Sequence, residues 1–216
     1  ARAFLNEKNT PEVLAAHAAF PLVRGIRHKP TATASPDAIE PGTPGSMSDP
    51  DWLAGYAELH ANNLHYELQA PWWHVAELMD VIDRSPETPV VINHCFMPVD
   101  RSPEGLTAWR DAIDRAAGAP NVVMKISGIG IKDRPWTLAD QRPVIDACIE
   151  AFGPSRCLFA SNFPVDSLVG SLTTIYGGFL EATRDLAEAE RIAMFHDNAV
   201  RVYRLDRAPL NHPSNA

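Results

Sequence analysis

Five short apolar segments of this chain each end in a polar residue able to do chemistry, and stretches with helical periodicity separate them. The segments are residues 22–28, 64–69, 89–94, 122–127 and 157–162. Strands that alternate with helices predict βαβ units and a parallel sheet. In such sheets and barrels, ligands bind at the carboxyl ends of the strands. The pattern therefore predicts an α/β enzyme whose site is built from several strand ends.

Caps and apolar residues spaced three and four positions apart predict helices between and after these strands. They comprise residues 10–20, helices beginning near Asp49, at Pro71 and at Ser102, and residues 137–153, 168–183 and 188–203. Residues 29–50 hold five prolines and little periodicity. Because long loops without secondary structure are uncommon unless functional, we expect a candidate lid there.

Composition narrows the class of protein. A length of 216 residues predicts a single domain, residues 1–216, and the formal charge of -8 argues against a nucleic acid or an anionic membrane as the main partner. No apolar run is long enough for a membrane span, and no signal peptide opens the chain. The three cysteines, Cys95, Cys148 and Cys157, are typical of reduced thiols in a cytoplasm. A small-molecule substrate is the expected partner, and homo-oligomerisation stays open.

His94 is the strongest single candidate for the site, because it ends the third predicted strand. A neutral imidazole there can bind a metal or transfer protons near neutral pH, although a structural hydrogen bond would also explain it. Arg27 and His28 end the first strand, and alternation along a strand lets only one of them point inward. We expect Arg27, His28 and Gln69 to bind substrate.

The fifth strand is followed by Asn162 and Asp166. An Asn can orient water or a carbonyl but cannot act as a general base, whereas Asp166 can; a helix N-cap would equally explain Asp166. Lys125 lies within an apolar strand, a costly position unless it faces a polar interior or pairs with an acid. The turn after it, residues 127–130, lets backbone amides approach a ligand closely.

Other polar residues have weaker claims. Strand faces, helix faces and surface exposure explain four further side chains, those of His65, Glu67, His74 and His196. No phosphate-binding glycine loop, serine-hydrolase elbow or specific metal motif is present in the sequence. The residues alone thus predict a strand-end site without fixing its reaction.

Five ordered segments carry a resemblance to a known family: residues 23–28, 91–94, 121–128, 152–166 and 195–203. Together they resemble the amidohydrolase-2 family, in the branch of predicted metal-dependent hydrolases that includes fuconolactonase-like and dicarboxylic-lactone hydrolases. The match extends from about residue 20 to residue 205.

The resemblance implies a TIM-type (β/α)8 barrel and hydrolysis of a lactone or similar cyclic ester by water that a metal or a positioned base activates. It implies that His94 is a catalytic residue and ligand of a divalent metal, Zn or Mn. Asn162 stands where much of the family has an acidic residue, so either Asn162 or Asp166 takes the place of that residue in the site. The departure favours Asp166 as the base.

The family also begins with a strand that ends in His-x-His, and no such motif is present here. We therefore expect the last five βα units of the barrel, with about three units and half of the metal site missing. Two alternatives to a lactonase stay open: a non-oxidative decarboxylase of the same fold, and a catalytically inactive remnant that binds a partner or small molecule.

Overall fold

The computed structural model describes residues 1–205, which form one five-stranded sheet with helices packed on its outer face. The strands lie in chain order and every neighbouring pair is parallel. They are β1 (Gly25–His28), β2 (His65–Leu68), β3 (Val90–Ile92), β4 (Val122–Ile126) and β5 (Cys157–Phe159). The predicted α/β class is confirmed, and the sheet contains five strands of a barrel-type arrangement.

Eight α-helices lie among the described residues. They are α1 (Thr10–Ala18), α2 (Pro50–Ala61), α3 (Val75–Arg84), α4 (Pro103–Ala117), α5 (Leu138–Phe152), α6 (Leu172–Ala182), α7 (Glu188–Ile192) and α8 (Asn198–Tyr203). Asp49, Ser102 and Thr137 cap α2, α4 and α5 through their side chains, which satisfies helix N–H groups that have no partner inside the helix. None of these helices is both long and apolar enough to cross a bilayer.

The two faces of the sheet differ in chemistry. Outward-facing residues such as Ile26, Tyr66 and Ile92 are fully buried in the main core beneath the helices. The inner face is apolar at its lower end, where Val91 and Leu158 pack with residues of α8, and polar toward the strand ends. Because side chains alternate along each strand, this division separates the core from the site.

Several element boundaries differ from those predicted. β3 ends at Ile92 and β5 at Phe159, so His94 and Asn162 lie in the turns that follow the strands. Residues Val165–Leu168 form a separate 3-10 turn, and α6 therefore begins at Leu172 instead of Leu168. The long loop of residues 29–50 is present and contains a single 3-10 turn, Pro36–Ala38.

Candidate active site

A buried carboxylate organises the polar half of the inner face. Glu67 Oε2 accepts hydrogen bonds from Lys125 Nζ at 2.8 Å, Asn93 Nδ2 at 3.0 Å and Arg27 Nη2 at 3.2 Å. Its Oε1 accepts from the Tyr203 hydroxyl at 2.8 Å. Burial alone would raise the pKa of Glu67, but the hydrogen bonds and the Lys125 charge hold it well below its ordinary value. Glu67 is therefore an anion that neutralises cations from β1 and β4.

This network corrects the weak claims given to two residues of β2. Glu67 and His65 are both buried, and His65 Nε2 lies 3.3 Å from Glu67 Oε1. His74 is also buried, with its Nε2 accepting from the Thr33 backbone N–H at 3.1 Å, whereas His196 is exposed. Of the two explanations for Lys125 in an apolar strand, a polar interior or an acidic partner, the structure shows the acidic partner, and Glu67 is that acid. The sequence signal for this pair is one acid, Glu67, and one lysine, Lys125, each within an otherwise apolar strand.

His94 lies at the mouth of the inner face, in a turn of left-handed backbone. Residues 94–97 all have positive φ, between 53° and 58°, although none is glycine. This conformation costs roughly 1–2 kcal/mol per residue. The turn is held by the Met97 N–H, which donates to the His94 carbonyl at 2.8 Å, and by the Trp109 indole N–H, which donates to the Cys95 carbonyl at 2.7 Å.

The imidazole of His94 is fixed from one side and open on the other. Its Nδ1 lies 2.9 Å from the Ser127 hydroxyl, and no described residue hydrogen-bonds its Nε2. Burial, with the positive charges of Arg27 and Lys125, lowers the pKa of His94 to about 4. His94 is therefore neutral at pH 7, with one ring nitrogen available to a ligand.

Gly128 permits this placement of the imidazole. A Cβ at this position would lie 2.5 Å from His94 Nδ1 and 3.1 Å from Asn162 Nδ2, and φ is +59°. The residue after Ser127 must therefore be glycine for the two polar groups to approach each other over the turn.

Asn162 and Asp166 form a direct pair. Asn162 Nδ2 donates to Asp166 Oδ1 at 2.8 Å, and Asp166 is buried. Burial raises the pKa of the Asp166 carboxyl, while the hydrogen bond from Asn162 lowers it by less. Asp166 lies inside the 3-10 turn Val165–Leu168, so it is not the cap of a helix that begins at Ser167.

A cavity of about 650 Å³ lies at the mouth and brings four of the predicted site residues together. Its lining includes Arg27, Gln69, His94 and Asn162. Asp166 is not among the lining residues. The catalytic and binding roles of these residues stay predictions.

His28 requires a correction. Its Nδ1 accepts from the Leu5 N–H at 3.0 Å and from the Trp52 indole N–H at 3.1 Å, on the outer side of the sheet. Since Arg27 occupies the inward position of the strand end, His28 points into the core and does not line the cavity. The hydrogen bonds of its ring connect β1 to α2 and to the N-terminal segment.

The described residues do not make a complete divalent-metal site. In residues 1–205 no three His, Cys, Asp or Glu side chains cluster as metal ligands. His94 offers one nitrogen, but the charges nearest to it are those of Arg27, Lys125 and Lys29, all positive. Sites for Zn²⁺ need three or four donors that are usually nitrogen, sulfur or carboxylate oxygen. These side chains alone therefore do not fit such an ion.

Comparison with known proteins relates the chain to a family. The amidohydrolase family model (Amidohydro_2) matches residues 3–205. An uncharacterized protein of Sinorhizobium fredii, y4mH, is 36% identical over 90% of this chain and 65% of its own length. An L-fucono-1,5-lactonase of Burkholderia multivorans is 30% identical over 85% of this chain and 63% of its own length. The chain thus spans slightly less than two thirds of these two curated relatives.

A solved structure shows the same fold. The crystal structure of an amidohydrolase from Burkholderia multivorans with bound zinc superposes with a TM-score of 0.78 at 26% identity. The superposition covers 93% of this chain and 70% of that one.

Proposed function

The chain belongs to the amidohydrolase family, and from this premise we propose that it acts in a hydrolase that opens a lactone by attack of water on the ester carbonyl. The observation that carries the proposal is the neutral His94, which lines the cavity, is held by Ser127 at Nδ1 and has no described partner at Nε2. The named function of the Burkholderia multivorans lactonase supports the same reaction class.

The proposed chemistry uses groups present in the chain. His94 Nε2 takes a proton from water as the water oxygen bonds to the lactone carbonyl carbon, and the carbonyl oxygen receives the displaced electron pair. The cations at the mouth, among them Arg27, stabilise that oxyanion. As the ring C–O bond breaks, the imidazolium returns its proton to the leaving oxygen. The product is an open hydroxy acid, released as its carboxylate.

Asn162 and Asp166 have supporting roles in this proposal. The Asn162 amide faces the cavity and orients water or the carbonyl, while Asp166 fixes the amide from behind. Gln69 lines the same cavity and is proposed to bind substrate hydroxyl groups. A Zn or Mn ion bound through His94 would need ligands beyond the described side chains, and no step above depends on it.

The location and partners are proposed on the same footing. Cys95, Cys148 and Cys157 are buried free thiols, which favours a reducing cytoplasm. A small-molecule substrate is the partner that the cavity suits.

The test is hydrolysis of L-fucono-1,5-lactone, followed by acid release in a pH-stat. We expect turnover by the parent protein and a loss of about a hundredfold or more in His94→Ala. His196→Ala is the matched control, because that histidine is exposed and is not among the residues that line the cavity. Equal loss in both variants, or full activity of His94→Ala, would contradict the assignment. Decarboxylation of an aromatic acid without lactone opening would favour the decarboxylase alternative.

A further inference from the structure

Residues 94–97 form an unusual stretch of backbone, since all four have positive φ and none is glycine. Elsewhere in residues 1–205 the positive-φ positions that are not glycine occur singly, at Asn63, Asp133, Asn162 and Arg204. L-residues visit this region as single residues, most readily Asn and Asp, because their Cβ crowds the following carbonyl oxygen. The residue types at 94–97 therefore do not favour this conformation, and contacts from outside the turn must hold it.

The Cys95 carbonyl makes such a contact. It accepts a hydrogen bond from the Trp109 indole N–H, with 2.7 Å between Nε1 and the oxygen, in a buried position. The Met97 N–H also donates to the His94 carbonyl at 2.8 Å, but that bond lies within the turn itself. A buried carbonyl that loses its donor is destabilised, because no other donor takes its place. The indole N–H therefore favours the turn conformation that directs the Cys95 carbonyl toward α4.

Trp109 is a rigid donor. It lies in α4 and only 1% of it is exposed, and an indole side chain has few rotatable bonds to order. The first turn of α4 is fixed by Ser102, whose Oγ accepts from the Gly105 N–H at 3.1 Å. A Cβ at Gly105 would lie 2.4 Å from the Asp100 side chain, so the loop that precedes α4 packs directly against the helix. The helix that carries Trp109 is thus anchored to the segment that follows His94.

We infer that Trp109 is a positioning residue for His94: its indole N–H holds residues 94–97 in the left-handed conformation that brings the imidazole to Ser127. The inference rests on the proposed function, in which His94 is the base. Trp109 is not among the residues that line the cavity, so it acts on the reaction only through the turn. When the Cys95 carbonyl loses its donor, φ in the turn relaxes toward negative values and the His94 side chain turns away from Ser127. Small displacements of a reacting group cost a large part of the rate.

The first experiment removes the indole N–H and keeps the shape of the ring. Benzothienylalanine, in which a sulfur atom replaces the N–H, is introduced in place of Trp109 by amber suppression. We expect kcat for L-fucono-1,5-lactone to fall by about tenfold and KM to change by less than about twofold, because the base is displaced while the substrate contacts remain. The same replacement of Trp52 is the matched control, since Trp52 is also buried and its Nε1 donates to His28 Nδ1 at 3.1 Å in the core. There we expect kcat to change by less than about twofold.

The second experiment tests whether the indole N–H offsets the strain of the turn. Trp109→Phe should lower kcat in the same way, and adding Cys95→Gly should raise it again by about threefold or more, because glycine adopts positive φ without strain. A tryptophan that only fills the core would give no such recovery, since the second substitution removes a further buried side chain. Trp109→Phe with Cys95→Ala is the matched control: it removes the thiol but keeps a Cβ, and we expect kcat to stay low.

Hydrogen exchange separates the inference from the proposed function. The Met97 N–H donates to the His94 carbonyl inside the turn, so its exchange rate, measured by NMR, reports on the turn without any substrate. We expect exchange about tenfold faster with benzothienylalanine in place of Trp109 than in the parent, and no change when it replaces Trp52. If the parent opens the lactone, an unchanged kcat on replacement of Trp109, or no recovery with Cys95→Gly, overturns the inference while lactone hydrolysis stands. If the parent opens no lactone, the proposed function fails, and equal Met97 exchange in the three proteins overturns the inference as well.

Discussion

The ammonium group of Lys125 lies 2.8 Å from Glu67 Oε2, joining β4 to β2 across the intervening strand. Both side chains are nearly buried, with 12% and 10% of their surfaces exposed. A buried ion pair of this kind adds little net stability over an apolar pair. Removing one partner nevertheless destabilises the protein, because the other charge is then left buried without a counter-ion. The pair therefore makes the inner face sensitive to single substitutions.

Glu67→Gln should lower the free energy of unfolding by about 3 kcal/mol, because Lys125 and Arg27 lose their shared counter-ion inside the protein. Urea unfolding monitored by circular dichroism measures this. Glu150→Gln is the matched control, because Glu150 pairs with Arg110 on the surface and 66% of its side chain is exposed. We expect that substitution to change the free energy of unfolding by less than about 1 kcal/mol. Equal effects of the two substitutions would contradict the assigned importance of the buried network.

The pH profile of the hydrolase should report the neutral state of His94. Its folded pKa is about 4, lowered from 6.5, so the basic form persists as the pH falls well below 6.5. We expect kcat/KM to hold steady down to about pH 5 and to decline through pH 4. Arg27→Met removes a nearby positive charge and should raise the pKa of His94, which NMR titration of the imidazole resonances would detect. A decline of kcat/KM centred at pH 6.5 in the parent protein would rule out His94 as the base.

Gly128→Ala should displace His94. The added Cβ would lie 2.5 Å from the imidazole Nδ1, so we expect kcat to fall by about tenfold or more. Left-handed backbone at Ala also costs about 1 kcal/mol of stability. Gly42→Ala is the control, since Gly42 has φ +78° and no atom within 4 Å of the added Cβ. Matching activity losses in both variants would show that backbone strain, and not contact with His94, is responsible.

Asn162→Asp should make stability depend on pH in a new way. The substitution places two carboxyls where Asn162 now donates to Asp166 at 2.8 Å, so they share a proton and one pKa rises. A group with a raised folded pKa stabilises the protein at low pH and loses that contribution as the pH rises. The free energy of unfolding of the variant, measured by thermal melts at each pH, should therefore fall by about 1 kcal/mol more between pH 5 and pH 8 than that of the parent. Asp166→Asn, which leaves two amides, should show no such added fall.

The sequence was most informative where one residue type determines one property. Apolar runs located all five strands, and the isolated Lys125 indicated either a polar interior or an acidic partner, which is Glu67. Alternation indicated that one of Arg27 and His28 faces inward. It did not indicate which, because both are polar and the choice depends on the contacts of His28 with Leu5 and Trp52.

The turn at residues 94–97 and the position of Arg101 in the cavity could not be predicted in this way. In a sequence, glycine is the usual indicator of a positive φ. Here tertiary hydrogen bonds, such as that from Trp109, hold residues other than glycine in this conformation. Arg101 lies in a loop without periodicity, so only the folded chain shows that it lines the same cavity as His94. Fold class follows from local patterns, whereas the site depends on distant segments meeting.

The register of β1 and β2 places Arg27 directly beside Glu67. Sliding β2 by one residue would turn Glu67 into the apolar layer beneath the helices and bring Tyr66 or Leu68 to the inner face. Two cations would then face each other with no anion between them. Glu67 thus distinguishes the native alignment of the two strands from the alignments shifted by one residue, because only the native one places an anion beside both cations.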